Sequence, residues 1–313
     1  MLCRNLYLNA QGQLFPCGQC MPCRVNRRRE WTHRIMLEAN LKMDNTFVTL
    51  TYSDENLPLV SSTPTSTAQP SESKSEFLPT LDPKHLQDWL KRLRKEISPL
   101  KVRYYAIGEY GDETQRPHYH LALFGYPNCL HGNSRYSKTR STCCGNCDLV
   151  RNTWGKGHVY LGDITTSSAQ YIAGYVTKKL TAKDDPRLRG RHPEFGRMSL
   201  KPGIGSEFMH DVASSLLSLQ GFDEEPDVPA SLQHGSRKLP LGRYLRSRLR
   251  ELTGREKAAP QATIDALQEE LRPLREAAFD ASQSFKKTVV AASDQKVLNA
   301  ETKAKIFKQA RKL

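Results

Sequence analysis

The chain contains no apolar run that approaches membrane-spanning length, and Arg4 is followed by no apolar core of the kind a secretory signal needs. Both absences make a soluble, intracellular protein with no membrane partner the expectation. No Gly-x-x-x-x-Gly-Lys-Ser/Thr loop is present, which excludes a phosphate-loop motor of that class. Internal repeats are also lacking. Acidic residues are comparatively scarce, with 33 Asp and Glu against 47 Lys and Arg, so the 313 residues carry a net charge of +14. The basic excess falls in runs at Arg24–Arg29, Lys91–Lys95, Arg187–Arg191 and Arg243–Arg250, and at the C-terminus. Such a distribution points to a polyanionic partner, nucleic acid before an acidic membrane surface. Apolar residues are only 38 % of the chain, yet periodic segments remain that can bury a core.

What is present includes eight cysteines in two groups, Cys17-x-x-Cys20-x-x-Cys23 and Cys143-Cys144-x-x-Cys147, with Cys3 and Cys129 outlying. Cys17-Gly18-Gln19-Cys20 and Cys144-Gly145-Asn146-Cys147 share the form Cys-Gly-x-Cys, where glycine permits a tight turn that aims two thiolates at one ion. Two readings stay open. In the first, four of the candidates Cys17, Cys20, Cys23, Cys144 and Cys147 ligate one structural Zn²⁺, the two groups meeting through the fold. In the second, the thiols are free.

Residues 24–43 read as a basic helix with Trp31, Ile35 and Ala39 on one stripe. Thr46–Tyr52 alternates apolar and hydroxyl residues as a strand does. Residues 60–76 are low in complexity, lack apolar anchors and read as a disordered insertion. Asp82-Pro83 opens a helix carrying Leu86, Trp89, Leu90, Leu93 and Ile97. A strand at 102–110 and a second strand through His118 and His120 follow, then a polar, cysteine-bearing loop over 127–147, a short strand at 157–162, and a helix from about Ser167. This order predicts an α+β fold, an antiparallel sheet covered by helices. The expected organisation is a domain over 1–210, a linker over 211–240 that includes the acidic Asp223–Asp227, and a basic helical region over 241–313.

The chemistry concentrates in Arg116-Pro117-His118-Tyr119-His120. Strand residues i and i+2 share a face, so His118 and His120 project together and form half of a divalent-metal site. A third ligand is available in Glu109, which a hairpin would bring beside them. Two imidazoles and a carboxylate suit Mg²⁺ or Mn²⁺ with positions left open for a phosphate oxygen. Downstream, Tyr171 and Tyr175 are i, i+4 neighbours on a helix, with Lys178 and Lys179 just beyond. Each of these spacings also occurs in ordinary packing; the case rests on their combination and order.

In that order the series Phe47–Tyr52, Gly108-Glu109-Tyr110-Gly111, Arg116–His120 and Tyr171–Lys179 resembles the motifs of HUH endonucleases, the rolling-circle replication initiators. Pro16–Arg24 with Trp31, and Arg197–Gly205, resemble the gokushovirus-type microviral initiators in particular. The resemblance covers about residues 1–210. It implies a ferredoxin- or RRM-like core, and a nickase and strand transferase acting on a phage origin in single-stranded or supercoiled DNA. Metal would sit on His118, His120 and Glu109. Tyr175, favoured as first nucleophile because Lys178 and Lys179 follow it, and Tyr171 would form 5′-phosphotyrosines. Arg24, Arg27, Arg28 and Arg116 would meet DNA phosphates. Host helicase and polymerase in a bacterial cytoplasm would supply unwinding and synthesis. Two alternatives remain: a relaxase or transposase with the same chemistry, and a non-catalytic zinc-containing nucleic-acid-binding protein.

Overall fold

A computed structural model describes residues 2–62, 76–134, 143–174 and 185–309. The elements in chain order are β1 (Tyr7–Leu8), β2 (Leu14–Phe15), α1 (Met21–Asn40), β3 (Asn45–Thr51), β4 (Leu59–Ser61), β5 (Phe77–Pro79), α2 (Pro83–Glu96), β6 (Arg103–Tyr110), β7 (Pro117–Phe124), α3 (Gly145–Trp154), β8 (Val159–Gly162), α4 (Thr166–Ala173), β9 (Phe195–Met198), α5 (Met209–Leu217), β10 (Ser231–His234), β11 (Arg237–Pro240), α6 (Gly242–Leu252), α7 (Gln261–Asp280) and α8 (Phe285–Gln309). The α+β class expected from the sequence is what the structure has. The described residues fall into two compact units, Thr32–Phe208 and Met1–Trp31 with Met209–Leu313.

The unit Thr32–Phe208 is built on a five-stranded sheet in the order β8-β3-β7-β6-β9, every pair antiparallel. Alternation decides its two faces. Val48 and Leu50 from β3 with Tyr52 just beyond it, Ala106 and Tyr110 from β6, and Tyr119, Leu121 and Leu123 from β7 form one buried face. Against it lie Leu86, Trp89, Leu90 and Leu93 of α2, and Cys147, Val150 and Trp154 of α3. Helix α2 starts where Asp82 accepts a hydrogen bond from the Lys84 N–H (2.8 Å) ahead of Pro83, a residue whose missing N–H costs nothing in a first turn. The indole of Trp89 donates to Thr153 Oγ1 (3.1 Å), tying α2 to α3 within the core. The opposite face carries the residues of chemical interest.

Three local expectations need correction. The loop expected over 127–147 gives way at Gly145 to helix α3, whose Cys147, Val150 and Trp154 follow helical spacing. Gly145 therefore opens a helix and makes no tight turn. Strand β9 was not expected; it is four residues long and pairs with β6 from Tyr105↔Met198 to Gly108↔Phe195. Of the insertion expected at 60–76, residues 63–75 lie outside the described residues; at its two ends, β4 and β5 pair antiparallel from Leu59↔Pro79 to Ser61↔Phe77.

The second unit also differs from expectation. Met1–Trp31 clusters with Met209–Leu313, so the N-terminal segment belongs to this unit. The 211–240 stretch expected as a linker holds most of α5 and the β10–β11 hairpin. Its acidic run is not simply solvated, because Asp227 meets the basic face of α6: Arg250 grips both carboxylate oxygens (2.7 Å each) and Arg246 pairs with one of them. Helices α6, α7 and α8 form where the charged C-terminal region predicted helices. Arg4 binds Glu301 through two nitrogens (2.7 and 2.8 Å) and Asp294 through a third (3.3 Å). Among the described residues, no helix is long and apolar enough to cross a membrane.

Candidate active site

The β6–β7 hairpin closes through Gly111–Arg116, where the Gly111 N–H donates to the Arg116 carbonyl (3.0 Å). That closure fixes the register Glu109↔His118 and Ile107↔His120. Directly opposite residues of an antiparallel pair share a face, so Glu109 and both histidines point the same way, opposite to Tyr119. One oxygen of Glu109 lies 3.2 Å from His118 Nε2 and 3.3 Å from His120 Nε2. The ligating atoms of the three residues all lie within 4.8 Å of one another, and Glu109 is buried.

The other ring nitrogens are engaged. His118 Nδ1 is 3.1 Å from the Arg116 carbonyl, which can only accept, so Nδ1 donates there and the ring turns Nε2 toward Glu109. His120 Nδ1 is 2.9 Å from Thr49 Oγ1 on β3, the residue paired with it in the sheet. Phe47 stacks on the His120 ring at 5.6 Å between centroids. Each imidazole is thus held with Nε2 facing Glu109. A carboxylate and two oriented imidazoles form a donor set that fits a divalent cation such as Mg²⁺, Mn²⁺ or Zn²⁺.

Helix α4 brings a tyrosine to this triad. Thr165 caps it, accepting from the Ser168 N–H (3.2 Å), while Ser168 Oγ accepts from the Thr165 N–H (2.8 Å). From α4 the hydroxyl of Tyr171 donates to Glu109 Oε1 (2.7 Å) and lies 3.3 Å from His120 Nε2. Tyr171 is 39 % exposed. Tyr52 and Tyr119 offer a contrast. They are buried on the other face and hydrogen-bond each other (2.7 Å); burial pushes the Tyr119 hydroxyl up to about 12 and Tyr52 higher still. Neither is suited to attack. Tyr175, Lys178 and Lys179 lie outside the described residues.

Beside His118 opens a cleft of about 740 Å³ lined by Thr51, Ser53, Asp54, Glu55, Thr114 and His158 among others. Arg116 borders it, committed to Asp54 (2.6 Å) and the Tyr52 carbonyl (2.9 Å). Arg24, Arg27 and Arg28 fall on α1 within the Met1–Trp31 segment of the other unit, with Arg27 exposed. Thr49 and Phe47 were not singled out from the sequence. Their signal was available, since alternation along β3 puts both on the face where His120 is paired.

The cysteines do not combine as expected. The structure holds two separate four-cysteine clusters, Cys3/Cys17/Cys20/Cys23 and Cys129/Cys143/Cys144/Cys147, one in each unit. Cys3 and Cys129 are members of these clusters because the chain folds back on itself after β1 and after β7.

A family model described as replication-associated protein ORF2 matches residues 45–180, a span running from β3 through Glu109, His118 and His120 to the tyrosine helix. Replication-associated protein VP4 of Bdellovibrio phage phiMH2K is 33 % identical over 200 residues, covering 62 % of this chain and 57 % of that protein. Replication-associated protein ORF2 of Spiroplasma virus 4 is 31 % identical over 244 residues, covering 75 % of this chain and 67 % of the relative. Replication-associated protein ORF4 of Chlamydia phage 1 is 26 % identical over 176 residues, 54 % of this chain and 39 % of the relative. The alignment thus spans little more than half of the first relative's length. No solved structure matches the chain. With the family match laid over the site strands and a relative matched through two thirds of its length, the chain belongs to the family of phage replication-associated proteins.

Proposed function

We propose that the protein is a site-specific DNA nickase and strand transferase that initiates rolling-circle replication of a circular single-stranded phage genome in its bacterial host. One observation carries the reading: the hydroxyl of the partly exposed Tyr171 rests on Glu109 and beside His120, at the Glu109/His118/His120 triad. A nucleophile placed on a divalent-metal donor set is what phosphodiester transesterification requires.

Glu109, His118 and His120 would hold Mg²⁺ or Mn²⁺, which when bound supplies positive charge to a phosphate oxygen. Although the sequence favours Tyr175 as first nucleophile, the contact of Tyr171 with Glu109 supports Tyr171 in that role: its Oη attacks phosphorus, forming a tyrosine–phosphate ester on the 5′ side and breaking the bond to the 3′ oxygen. The tyrosine gives up its proton and the 3′ oxygen gains one. Free tyrosine has a pKa of about 10, so its oxygen needs nearby positive charge to attack at neutral pH. The phosphotyrosine retains the energy of the broken linkage, so rejoining needs no nucleotide cofactor. A second tyrosine, assigned to Tyr175, would cleave the regenerated origin, with Lys178 and Lys179 nearby in sequence. The free 3′ hydroxyl would then displace the first tyrosine and close a circle. Host helicase and polymerase would unwind and extend. Arg24, Arg27, Arg28 and Arg116 are proposed to contact the DNA backbone.

The test incubates the full chain with circular single-stranded or supercoiled origin DNA and Mg²⁺ or Mn²⁺, with EDTA as control. The readout is a protein–DNA adduct that survives denaturation. A metal-dependent adduct that disappears in the Tyr171→Phe/Tyr175→Phe double variant supports the proposal. Tight origin binding with no adduct under any condition would leave a non-catalytic nucleic-acid-binding protein as the reading.

A further inference from the structure

We infer that the two four-cysteine clusters are two structural Zn²⁺ sites, one in each compact unit. Cys3, Cys17, Cys20 and Cys23 form the first, and Cys129, Cys143, Cys144 and Cys147 the second. This inference does not rest on the proposed nicking chemistry, and neither site shares a residue with the Glu109/His118/His120 triad.

The sulfur separations within each cluster fit a closed set of four thiolates around one ion. A metal–sulfur bond of about 2.3 Å implies sulfur–sulfur edges of about 3.8 Å. In the first cluster Cys20 Sγ lies 3.8 Å from Cys3 Sγ and 3.4 Å from Cys23 Sγ. In the second, Cys129 Sγ lies 3.6 Å from Cys143 Sγ and 3.9 Å from Cys144 Sγ. These separations are far beyond the bond of about 2.05 Å that joins a disulfide. All four sulfurs of each cluster lie within 4.8 Å of one another. Two disulfides in a cluster would not require all four sulfurs to lie so close together.

The surroundings fit anionic sulfur. The backbone N–H groups of Gln19 and Cys20 donate to Cys17 Sγ (3.4 and 3.3 Å), an arrangement made possible by Gly18 at φ +73°. The Cys17 N–H reaches Cys3 Sγ (3.3 Å). In the second cluster Ser134 Oγ lies 3.1 Å from Cys147 Sγ, and Cys144 and Cys147 sit at the N-terminus of the ten-residue helix α3, where the peptide dipoles favour negative charge. Four thiolates with no open position suit Zn²⁺ in a structural role.

Position explains what each ion would hold. The first cluster fastens the β1–β2 hairpin to the start of α1, and Val289, Leu271, Leu274 and Phe285 of α7 and α8 pack on it. The second pins the segment after β7 to the start of α3, whose Cys147 and Val150 belong to the sheet core. Both elements are short, and a metal supplies the fixing that so few buried side chains cannot.

Zinc content is measured by mass spectrometry on the full chain purified without chelator, in a His118→Ala/His120→Ala background that removes the triad as a third zinc site. About two zinc ions per chain are expected. Cys20→Ser and Cys147→Ser should each lower the content to about one. X-ray absorption at the zinc edge, in the same His118→Ala/His120→Ala background with all cysteines intact, avoids dependence on cysteine variants that fail to fold. It should give four sulfur neighbours at about 2.3 Å. Oxygen or nitrogen ligation, iron in place of zinc, fewer than one zinc per chain, or disulfides in protein purified under reducing conditions would each overturn the inference. Absence of DNA nicking by the chain with its triad intact, alongside the expected zinc content, would count against the proposed function alone.

Discussion

The hydroxyl of Tyr171 donates a 2.7 Å hydrogen bond to Glu109, linking helix α4 to the strand that faces His118. This contact joins two motifs that lie 62 residues apart in sequence. It places the phenol oxygen where a phosphate drawn to the triad would be attacked. Tyr171→Phe should therefore abolish the covalent adduct formed through this residue. Folding should change little, because one partly exposed hydrogen bond contributes about 1 kcal/mol. Comparing adduct yield with the thermal melting of the same variant separates the two effects. An undiminished adduct in Tyr171→Phe, alongside a loss in Tyr175→Phe, would transfer the first attack to Tyr175.

Thr49 is a positioning residue. Its hydroxyl lies 2.9 Å from His120 Nδ1 and sets how that ring presents Nε2 to Glu109. Removing such an outer partner costs about 10- to 100-fold in metal affinity. Thr49→Val keeps the branched shape that the strand favours and deletes only the hydroxyl. Mn²⁺ titration should show weaker binding by that factor, and nicking at saturating Mn²⁺ should recover. Thr49→Ser should restore affinity. A variant whose melting falls but whose Mn²⁺ affinity does not would assign Thr49 a purely structural part.

The histidine face could be read from the sequence because period-two alternation needs only neighbours: His118 and His120 had to share a side, and Tyr119 had to oppose them. The partnership with Glu109 needed the register of the β6–β7 hairpin, and the short Gly111–Gln115 turn made that register accessible too. The cysteine clusters were harder. Cys3 reaches its partners through a hairpin of two-residue strands, too short for any periodic signal, so Cys3 and Cys129 were left out and two distant groups were joined into one site. Helix α3 and strand β9 were missed for a related reason. Ten and four residues give few turns or alternations, and both elements are held by the sheet they pack on. The acidic run ending at Asp227 looked like a linker because its partners, Arg246 and Arg250, follow on a helix about twenty residues later.

Asp227 provides a stability test. Burial alone would raise its pKa, but the hydrogen bonds from Arg250 and the nearby Arg246 charge outweigh that and hold the carboxyl below the usual range. A group with a depressed folded-state pKa stabilises above its unfolded pKa of about 3.9, and that contribution fades as pH falls through the folded value. Asp227→Asn leaves Arg250, itself buried, without its counter-ion, and should cost about 3 kcal/mol at pH 7. Urea unfolding of both proteins at pH 7 and near pH 3 should show the gap narrowing in acid. A gap independent of pH would mean that Asp227 acts by shape alone.

Gly108 immediately precedes Glu109, and its position is set by packing on the other face of the sheet. A Cβ there would approach Phe195 Cε1 at 2.7 Å and Leu81 Cδ2 at 3.1 Å, closer than side chains tolerate. Phe195 is paired with Gly108 across β6 and β9, and its ring lies 6.2 Å from that of Tyr119. Gly108→Ala must therefore push β6 or Phe195 aside, at a cost of about 1–3 kcal/mol. If β6 yields, Glu109 moves with it and the carboxylate leaves the histidines. Both stability and Mn²⁺ affinity should then fall. Adding Phe195→Leu removes the ring atoms that clash, so the double variant should regain metal affinity even where its stability stays reduced. Affinity that remains low after this relief would show that the backbone of Gly108, rather than the space beside it, sets the position of Glu109.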